Sequence, residues 1–492
     1  MRFNRTAWPI LVLVSGIPRI LGAFFLPNGF GDAYVYILDI GNLSTKISTG
    51  TFRLTDLFGF WLPLYQLIAA VLNLFIRNGF YSGKLVSAVF GIGVCLFIYA
   101  ITFTLTGSRK AAALIFLLIA LNPLHIFYSA SAMTDIPHAF FVLGALHFVL
   151  KKKWLIAAIF AALAGATRVE SWMFIALIPV IQILRERRVS ILAVLIMILP
   201  PLFWFYISSK ATGDWLACFR QRQQYLDWLL VMNPAIAHFS VINILRDGAT
   251  LLISSDVAVL IASFIAAWFV LRQFSKIHRQ KLSEETQMIL PPVGFFFAFF
   301  SLLIVAYLTH QQPIIFPRYG LILFTLGLPI LARAFLRAKQ QRPLGARRLL
   351  IGIIVVLAFD ASIQFAGAVG TVNQYHVQRA AAEYLRDHFD PKSNARIFCD
   401  DGTVKVLSGI PDEKFVTSSD VPRDREGFLS ALKANDVEYL VFVDHQPTTV
   451  NRLFKDLEYG DYGDWFERQF NSHTNFLPTQ IWVYRFHGEN VK

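Results

Sequence analysis

The sequence predicts an all-α polytopic membrane protein with a small soluble α/β domain at its C-terminal end. Of its 492 residues, 55% are hydrophobic and 16% are charged, whereas soluble domains average about 25% charged residues. Long apolar runs recur as far as residue 369, and charged residues with short strand and helix patterns follow them. We therefore expect a transmembrane domain over residues 1–370 and a soluble domain over residues 371–492.

Eleven apolar runs are candidate transmembrane helices. A twelfth run, residues 61–76, is shorter than the roughly 20 residues that a span requires, so the distribution of charge must decide where it lies. The eleven runs cover approximately residues 8–26, 85–106, 111–129, 136–150, 154–167, 171–184, 189–208, 250–271, 288–309, 319–332 and 349–369.

Basic clusters between the runs predict the topology, because Lys and Arg collect in cytoplasmic loops. All the clusters are cytoplasmic only if residues 61–76 form a juxtamembrane helix on the outer face. The N-terminus is then cytoplasmic and the C-terminal domain lies outside. The net charge of +13 resides in these clusters, so no nucleic-acid partner is expected. Short loops favour a bacterial inner membrane. The clusters occupy residues 109–110, 151–153, 185–188, 272–281 and 333–348.

The C-terminal residues alternate strand and helix patterns, as small α/β domains do. Asp400, Asp401 and Gly402 follow the first strand and indicate a turn rather than a metal site. No phosphate-binding loop or nucleotide fingerprint occurs there. Strands are predicted at residues 395–399, 437–443 and 481–486, and helices at residues 379–389, 424–434 and 451–457.

Asp32 lies just after the first apolar run, in a predicted outer-face loop over residues 27–60. Pro27, Gly29 and Gly31 end the preceding helix, and Asp32 opens a short helical segment. Two interpretations fit this carboxylate. It can cap the new helix, or it can be a catalytic base, because an ionisable group at the edge of a membrane is unfavourable unless it is paired or functional.

Other polar residues fall on the same predicted face. Asp135 opens a later span with a Pro in its first turn, so it is either a helix-start residue or a functional acid. Arg168 and Arg318 supply positive charge, although Arg168 can also form a local ion pair with Glu170. Three more residues fit either a substrate site or an interfacial belt: Tyr36, His138 and Tyr319.

The order of these features resembles the C-type (GT-C) glycosyltransferases, in the branch that contains the protein O-mannosyltransferases and the lipid A aminoarabinose transferase. The resemblance extends over residues 1–370, and its short motifs indicate the superfamily rather than a substrate. The matching segments are residues 31–34 (Gly-Asp-Ala-Tyr), 60–65 (Phe-Trp-Leu-Pro-Leu-Tyr), 107–111 (Gly-Ser-Arg-Lys-Ala), 131–137 (Ser-Ala-Met-Thr-Asp-Ile-Pro), 164–168 (Ala-Gly-Ala-Thr-Arg) and 317–320 (Pro-Arg-Tyr-Gly).

This resemblance implies an enzyme that takes a sugar from a polyprenyl-phosphate donor. The sugar would pass, with inversion, to a hydroxyl group of a glycan, lipid or protein acceptor at the outer face. Asp32 would be the base, and Asp135 a second acid that orients the acceptor or a metal ion. Arg168 and Arg318 would bind the donor phosphate. The remaining residues would contact the substrate: Tyr36, Glu170, His138 and Tyr319.

Two departures from the family's pattern concern a divalent cation. The family's first motif often carries a second acid, and here Ala33 follows Asp32. A charged residue often precedes the Pro of the family's juxtamembrane helix, where this chain has Trp61 and Leu62. A metal held by Asp32 and Asp135 is therefore left open, and no other cofactor is predicted.

The main alternative is a multi-span transporter or a flippase for lipid-linked sugars. Such proteins carry charged residues and broken helices near the membrane midplane and often have repeated halves. Asp256 and Asp360 lie within apolar runs, and Arg19, inside the first run, can either extend to the surface or contact a phosphate. The chain shows no repeat, and its other outer-face acids lie at span ends, so a transferase is favoured.

Overall fold

Helices form most of the chain before residue 372, and a mixed β-sheet lies in the part after it. The computed structural model describes residues 7–232, 240–274, 283–341, 343–371, 375–444, 448–459, 465–473 and 480–490. Four residues of the basic clusters that the sequence predicts to be cytoplasmic lie outside the described residues: Lys276, Arg279, Lys281 and Arg342.

The chain divides into two units, and a segment near the N-terminus belongs to the second. The first unit contains Met1–Pro27, Ile40–Leu226 and Asn233–Ala368. The second contains Asn28–Asp39, Asp227–Met232 and Val369–Lys492. Its last segment begins beside the boundary that the sequence predicts at residue 370, but the Asp32 segment joins it from an earlier part of the chain.

The described helices up to residue 371 are numbered in chain order. Two short 3-10 turns, Leu54–Leu57 and Val169–Met173, lie between them. The helices are α1 Ala7–Phe25, α2 Gly31–Ser48, α3 Leu64–Ile76, α4 Gly79–Thr106, α5 Arg109–Ala120, α6 Pro123–Ser129, α7 Asp135–Leu150, α8 Trp154–Thr167, α9 Phe174–Glu186, α10 Ile191–Thr212, α11 Ala217–Met232, α12 Val241–Ser255, α13 Val257–Phe274, α14 Glu284–Leu308, α15 Pro317–Gln341 and α16 Pro343–Thr371.

Among the described helices, six are long and apolar enough to cross a bilayer, and the number rises to eight if two bent pairs each count as one span. The bent pairs are α5 with α6 and α12 with α13. The predicted number of eleven spans is therefore not confirmed. Three of the predicted spans correspond to helices that are too short to count as candidate spans: α7, α8 and α9, which have 16, 14 and 13 residues. The predicted juxtamembrane helix, α3, has 13 residues.

Much of the predicted loop over residues 27–60 is helical, so this part of the prediction is wrong. The helical segment that begins near Asp32 continues as α2 to Ser48. Its buried side chains explain the extension, because Ala33, Ile37, Ile40 and Leu43 repeat at the three- and four-residue spacing of one helix face.

The first helix break, between α5 and α6, is stabilised by Arg19. The two helices meet at 62°, which leaves the last carbonyl groups of α5 without intrahelical partners. The Arg19 guanidinium donates to the carbonyl oxygens of Ala120 at 3.0 Å and Ile119 at 3.1 Å, and contacts His125 Nδ1 at 2.6 Å. Arg19 is fully buried, so its guanidinium does not extend to the surface.

The second break lies at Asp256, where α12 and α13 meet at 85°. Asp256 adopts a positive φ of 64°, and its Oδ1 accepts hydrogen bonds from the backbone N–H groups of Ala258 at 2.8 Å and Val259 at 3.2 Å. Its carboxyl group also interacts electrostatically with that of Asp360 in α16. Asp256 thus caps α13.

The second unit contains a five-stranded sheet with the strand order β2-β1-β3-β5-β4. β1 pairs in parallel with β2 and β3, and β5 pairs antiparallel with β3 and β4. The elements are α17 His376–His388, β1 Arg396–Phe398, α18 Gly402–Ser408, β2 Phe415–Val416, α19 Arg425–Ala434, β3 Val437–Val443, α20 Thr449–Leu453, β4 Phe466–His473 and β5 Gln480–Phe486.

Helices cover both faces of this sheet, because side chains alternate along each strand. Leu440 and Phe442 of β3 pack with Phe428 of α19 on one face. Tyr439 and Val441 pack on the other face with α17. The predicted strands at residues 395–399, 437–443 and 481–486 and the first two predicted helices are confirmed. The third, over residues 451–457, is divided between α20 and a 3-10 turn, Lys455–Tyr459.

The sequence analysis did not predict two strands, β2 and β4, or the helix α18. β2 has only two residues, and β4 carries mostly polar side chains, which hide a strand pattern. The predicted turn at Asp401 is the start of α18, where Asp401 accepts from the N–H groups of Thr403 at 2.8 Å and Val404 at 3.0 Å.

Close packing of α15 against α12 makes Gly320 intolerant of a side chain. A Cβ atom at Gly320 would lie 1.9 Å from Ser254 Oγ and 2.9 Å from the Ser254 backbone carbon. We expect Gly320→Ala to destabilise the fold by about 1–3 kcal/mol, measured as a lower midpoint of thermal unfolding in detergent. Gly248→Ala in α12 is the control, because nothing lies within 4 Å of its added Cβ and alanine favours helices.

Candidate active site

In the first unit, Asp135 and Arg168 form a nearly buried ion pair. Asp135 is the first residue of α7, and its Oδ1 lies 2.9 Å from Arg168 Nη1. The two side chains are 7% and 17% exposed. Asp135 Oδ2 is buried and has no hydrogen-bond partner among the described residues. The pair joins two residues that lie 33 positions apart in the sequence.

Arg168 also pairs with Glu170, so the local ion pair that the sequence allowed is present. Its Nη2 lies 2.8 Å from Glu170 Oε1. Arg168 is in extended conformation between α8 and the 3-10 turn Val169–Met173, and Glu170 lies in the first turn of that 3-10 element. Burial has the largest single effect on the pKa of Glu170 and raises it, but the Arg168 charge and hydrogen bond, His138 and a backbone hydrogen bond together lower it by more, so the net pKa lies below its ordinary value.

Arg318 and Tyr319 lie in the first turn of α15, close to this ion pair. The Arg318 guanidinium carbon is 5.2 Å from the Phe316 ring centroid and 5.4 Å from that of Tyr319. The Arg318 backbone N–H is hydrogen-bonded to the Tyr128 hydroxyl, and Tyr128 also interacts electrostatically with Asp135. Tyr319 interacts in the same way with Arg168. The first unit thus brings the predicted cations together with Asp135.

His138 lies one turn after Asp135 on α7. Its Nε2 is 2.7 Å from Ser171 Oγ, and its ring packs edge-on against Phe299 with centroids 5.6 Å apart. The residue is 4% exposed. These contacts hold α7 against the 3-10 turn that carries Glu170.

Two buried side chains near Asp135, those of Tyr65 and Tyr128, were not predicted as site residues from the sequence. Tyr65 of α3 donates to the Gly83 carbonyl oxygen at 3.0 Å and interacts electrostatically with Asp135. Tyr128 joins α6 to α15. Neither has a sequence signal, since an aromatic residue in an apolar helix usually belongs to the core. Lys84 is also fully buried, and it donates to the Leu26 carbonyl oxygen.

Asp32 and Tyr36 belong to the second unit. Asp32 is the second residue of α2 and half-buried, where the positive end of the helix dipole favours a carboxylate. Tyr36 is 2% exposed and lies one turn further along α2, so its ring is part of the packing beneath Asp32.

The start of α2 contacts residues of the C-terminal domain. The sequence analysis did not predict these contacts. Tyr375 packs edge-on against Tyr34 with ring centroids 5.7 Å apart, and the backbone of Gly31 is hydrogen-bonded to the Tyr375 hydroxyl. Burial raises the pKa of Tyr375, and the Asp32 carboxylate raises it further. Burial likewise raises the pKa of Tyr34 to about 12. Both phenols are therefore neutral at physiological pH.

The residues described here do not form a complete metal site. No group of three or more His, Cys, Asp or Glu side chains among the described residues could hold a metal ion. In the first unit, Asp135 offers one buried oxygen, since Arg168 occupies the other. Ca²⁺ and Mg²⁺ take six or more oxygen ligands, several of which can come from water, so Asp135 alone does not make a site, and the metal stays a prediction.

Comparisons with known proteins find similarity in structure only. No protein-family model and no curated protein matches the sequence. ArnT from Cupriavidus metallidurans bound to undecaprenyl phosphate superposes with a TM-score of 0.57 at 13% identity, over 98% of this chain and 98% of that one. The apo form of the same protein gives 0.60 at 13% identity, over 99% of each chain.

A third solved structure, the arabinofuranosyltransferase AftD from Mycobacteria, gives a TM-score of 0.46 at 13% identity, over 99% of this chain and 40% of that one. The similarity to ArnT shows a shared fold over the whole length of both chains. The resemblance to the GT-C branch that contains the lipid A aminoarabinose transferase is therefore confirmed at the level of the fold.

Loss of Arg168 should destabilise the first unit in a pH-dependent way. Arg168→Met leaves Asp135 and Glu170 without their cation, which typically costs about 3–5 kcal/mol for a buried pair. In the variant, Arg168 no longer offsets burial, which is the largest influence on Glu170, so the folded pKa of Glu170 should rise above its unfolded value of about 4.3. We therefore expect the deficit in unfolding temperature to be larger at pH 7.5 than at pH 5.

The wild type should behave differently, because a lowered folded pKa adds stability above the unfolded pKa. That contribution should persist from pH 7.5 to pH 5 and disappear only as the pH falls through the folded pKa of Glu170. Lys46→Met is the control, since it removes an ion pair with Asp56 in which Lys46 is 46% exposed. Such a pair contributes about 0–1 kcal/mol. Equal deficits for both variants would contradict the role given to Arg168.

Proposed function

We propose that this chain is an integral-membrane glycosyltransferase that moves a sugar from a polyprenyl-phosphate donor to an acceptor hydroxyl group. The observation that carries the proposal is the fold shared over the full length with ArnT, a protein whose structure contains undecaprenyl phosphate. The grouping of Asp135, Arg168, Glu170 and Arg318 in the first unit supports it, because a phosphate donor requires cations at a protected site.

In the proposed arrangement, residues 1–370 are the catalytic membrane domain with eleven spans, and residues 371–492 are an extracytoplasmic domain. The N-terminus lies in the cytoplasm of a bacterial cell, and the site faces outward. A sugar carried on a membrane lipid suits such a site, because nucleotide sugars remain in the cytoplasm.

The proposed reaction is a single displacement at the anomeric carbon. The acceptor oxygen forms a bond to that carbon from the side opposite the phosphate, and the bond between the carbon and the phosphate oxygen breaks. The acceptor's proton passes to the Asp32 carboxylate, and the electron pair of the broken bond leaves on the polyprenyl phosphate. The configuration is inverted. A positioned base contributes roughly 10²–10⁴-fold to such a step.

Arg168 and Arg318 are proposed to stabilise the charge on the departing phosphate. Cations held in a site of low dielectric constant stabilise that charge more strongly than cations in water. Ion pairs with Asp135 and Glu170 hold Arg168 in place, and Phe316 and Tyr319 orient Arg318. A phosphate leaves with little protonation, so no second carboxyl group is required as a general acid.

Asp135 and the remaining residues are proposed to orient the substrates. The buried Oδ2 of Asp135 could accept a hydrogen bond from the acceptor or take part in binding a divalent cation. Glu170 and Tyr319 lie beside the arginines and would contact the sugar. Tyr36 and His138, both buried, would act by fixing the helices that carry Asp32 and Asp135.

The base is tested by Asp32→Asn, which keeps the shape of the side chain and removes its basicity. We expect transfer from a panel of polyprenyl-phosphate sugars to fall by about 10²–10⁴-fold, while binding of undecaprenyl phosphate is retained. Asp56→Asn is the control, since Asp56 is an acid in the exposed ion pair with Lys46.

Full transfer activity in Asp32→Asn would show that another group is the base. If the wild type transferred no sugar but moved labelled lipid-linked sugar between leaflets of a liposome, the transporter or flippase alternative would replace the proposal.

Topology is tested with two single cysteines at matched positions. Arg77 and Lys152 are both exposed turn residues with positive φ, 55° and 57°, and the three native cysteines are buried. In intact cells, a membrane-impermeant maleimide should label Arg77→Cys and should label Lys152→Cys only after permeabilisation. The reverse pattern would mean that residues 61–76 cross the membrane.

A further inference from the structure

A long apolar cleft of about 840 Å³ lies between α16 and the pair α13 and α15 in the first unit. Its walls include Ile261, Ile265 and Trp268, whose side chains are 56%, 59% and 60% exposed. In α16, only 11% of the most apolar 18-residue window is buried. Since these helices are candidate spans, the cleft opens toward the hydrocarbon of the bilayer.

One end of the cleft carries an excess of positive charge. Its lining contains four arginines, Arg272, Arg333, Arg337 and Arg348, and one acid, Glu285. Glu285 is shared between Arg333 at 3.6 Å and Arg337 at 3.1 Å, and the Arg272 guanidinium lies 5.0 Å from the Trp268 ring centroid. These five lining side chains together have a formal charge of +3.

A second cavity, of about 700 Å³ and with polar walls, continues from that end. It shares Glu285, Arg333, Arg337 and Gln341 with the apolar cleft, and Lys339 adds a further cation. The two cavities together thus have an apolar part and a polar, positively charged part that meet at the same arginines. A ligand that fills both must have an apolar chain and an anionic polar group.

The apolar part of the cleft is long enough to hold a lipid chain that spans one leaflet. Both Arg272 and Val257 of α13 line the cleft, and at 1.5 Å per helical residue they are about 22 Å apart along the axis. Half of a bilayer's hydrocarbon core measures roughly 15 Å. An acyl chain can therefore lie along α13 while its headgroup remains at the arginines.

We propose that this cleft binds one bilayer phospholipid with an anionic headgroup. The headgroup phosphate lies between Arg272, Arg333, Arg337 and Arg348, and an acyl chain fills the groove between α13 and α16. The arginines belong to clusters that the sequence assigns to the cytoplasmic side, where acidic lipids and basic pockets between helices meet. The site is separate from the residues around Asp135, and it does not depend on the proposed transferase activity.

Binding is measured by tryptophan quenching in phosphatidylcholine bilayers that contain the full-length protein. Brominated phosphatidylglycerol or brominated phosphatidylcholine is added in increasing proportion. The signal of Trp268 is the difference between the wild type and Trp268→Phe. We expect brominated phosphatidylglycerol to quench this signal at a much lower mole fraction than brominated phosphatidylcholine, and unlabelled phosphatidylglycerol to reverse the quenching.

Two pairs of variants test the headgroup and the chain separately. Arg272→Gln with Arg348→Gln should lower the preference for phosphatidylglycerol about 30-fold, since each cation near the surface is worth roughly fivefold. The ion pairs of Glu285 remain in this variant. The control, Arg187→Gln with Arg188→Gln, removes two cations from another predicted cytoplasmic turn and should change nothing.

Gly352→Phe places a ring in the groove, where nothing lies within 4 Å of the added Cβ. It should lower quenching of Trp268 by both lipids. Gly367→Phe is the control, because Gly367 has equally open space on the same helix but does not line the cleft.

The proposal is overturned if the two brominated lipids quench Trp268 equally, which would indicate ordinary lipid at the protein surface. It is also overturned if undecaprenyl phosphate reverses the quenching and phosphatidylglycerol does not, because the cleft would then be a polyprenyl-phosphate site. Unchanged quenching in both Gly352→Phe and the arginine variant would likewise rule it out.

Discussion

In lipid, backbone polar groups must find partners inside the protein, and this constraint governs the helical unit. Two of its candidate spans are broken, at residues 121–122 and at Asp256. At the first break a buried cation, Arg19, donates to the carbonyl groups that the break exposes. At the second, the Asp256 carboxylate accepts from the exposed N–H groups. Because the first break is stabilised, α6 can turn and deliver Asp135 to the start of α7. The unusual charges inside the apolar runs are therefore the means by which the candidate site is positioned.

Electrostatic pairing has different consequences at the two ends of this unit. Around Arg168, one oxygen of each of two carboxylates lies within 2.9 Å of the same guanidinium, so both carboxylates are paired and their geometry is fixed. At the ends of α13, α15 and α16, guanidinium groups outnumber carboxylates, and the side chains of Arg333 and Arg337 are more than a third exposed. A buried set of ion pairs orients groups for a reaction, whereas a more exposed set with excess positive charge attracts an anion from its surroundings.

Sequence patterns predicted local features of this chain well and long-range features poorly. Hydropathy located the apolar helices, and alternation located β3, because both signals are contained in adjacent residues. The break at Asp256 was missed, since a hydropathy average does not register one capping residue. The sequence placed Asp135 and Arg168 on the same predicted outer face, but it did not predict the contact between them. That contact depends on how α7 packs on α8. The contacts of Tyr375 with the start of α2 could not be predicted from the sequence. They form because the start of α2 lies in the same unit as the residues beyond 369.

The sparse packing of α16 bears on how the protein is assembled. A helix that buries so little of its apolar stretch gains little from its neighbours, so its insertion depends on its own affinity for the bilayer, and docking follows as a later step. The side chain of Gln364 then attaches it through hydrogen bonds with Asn122 and the Ile253 carbonyl oxygen, and Asp360 interacts electrostatically with Asp256. Until docking, Asp360 would face hydrocarbon, where a charged carboxylate at a helix centre costs roughly 3 kcal/mol. Insertion of Asp360 in its protonated form would remove that obstacle.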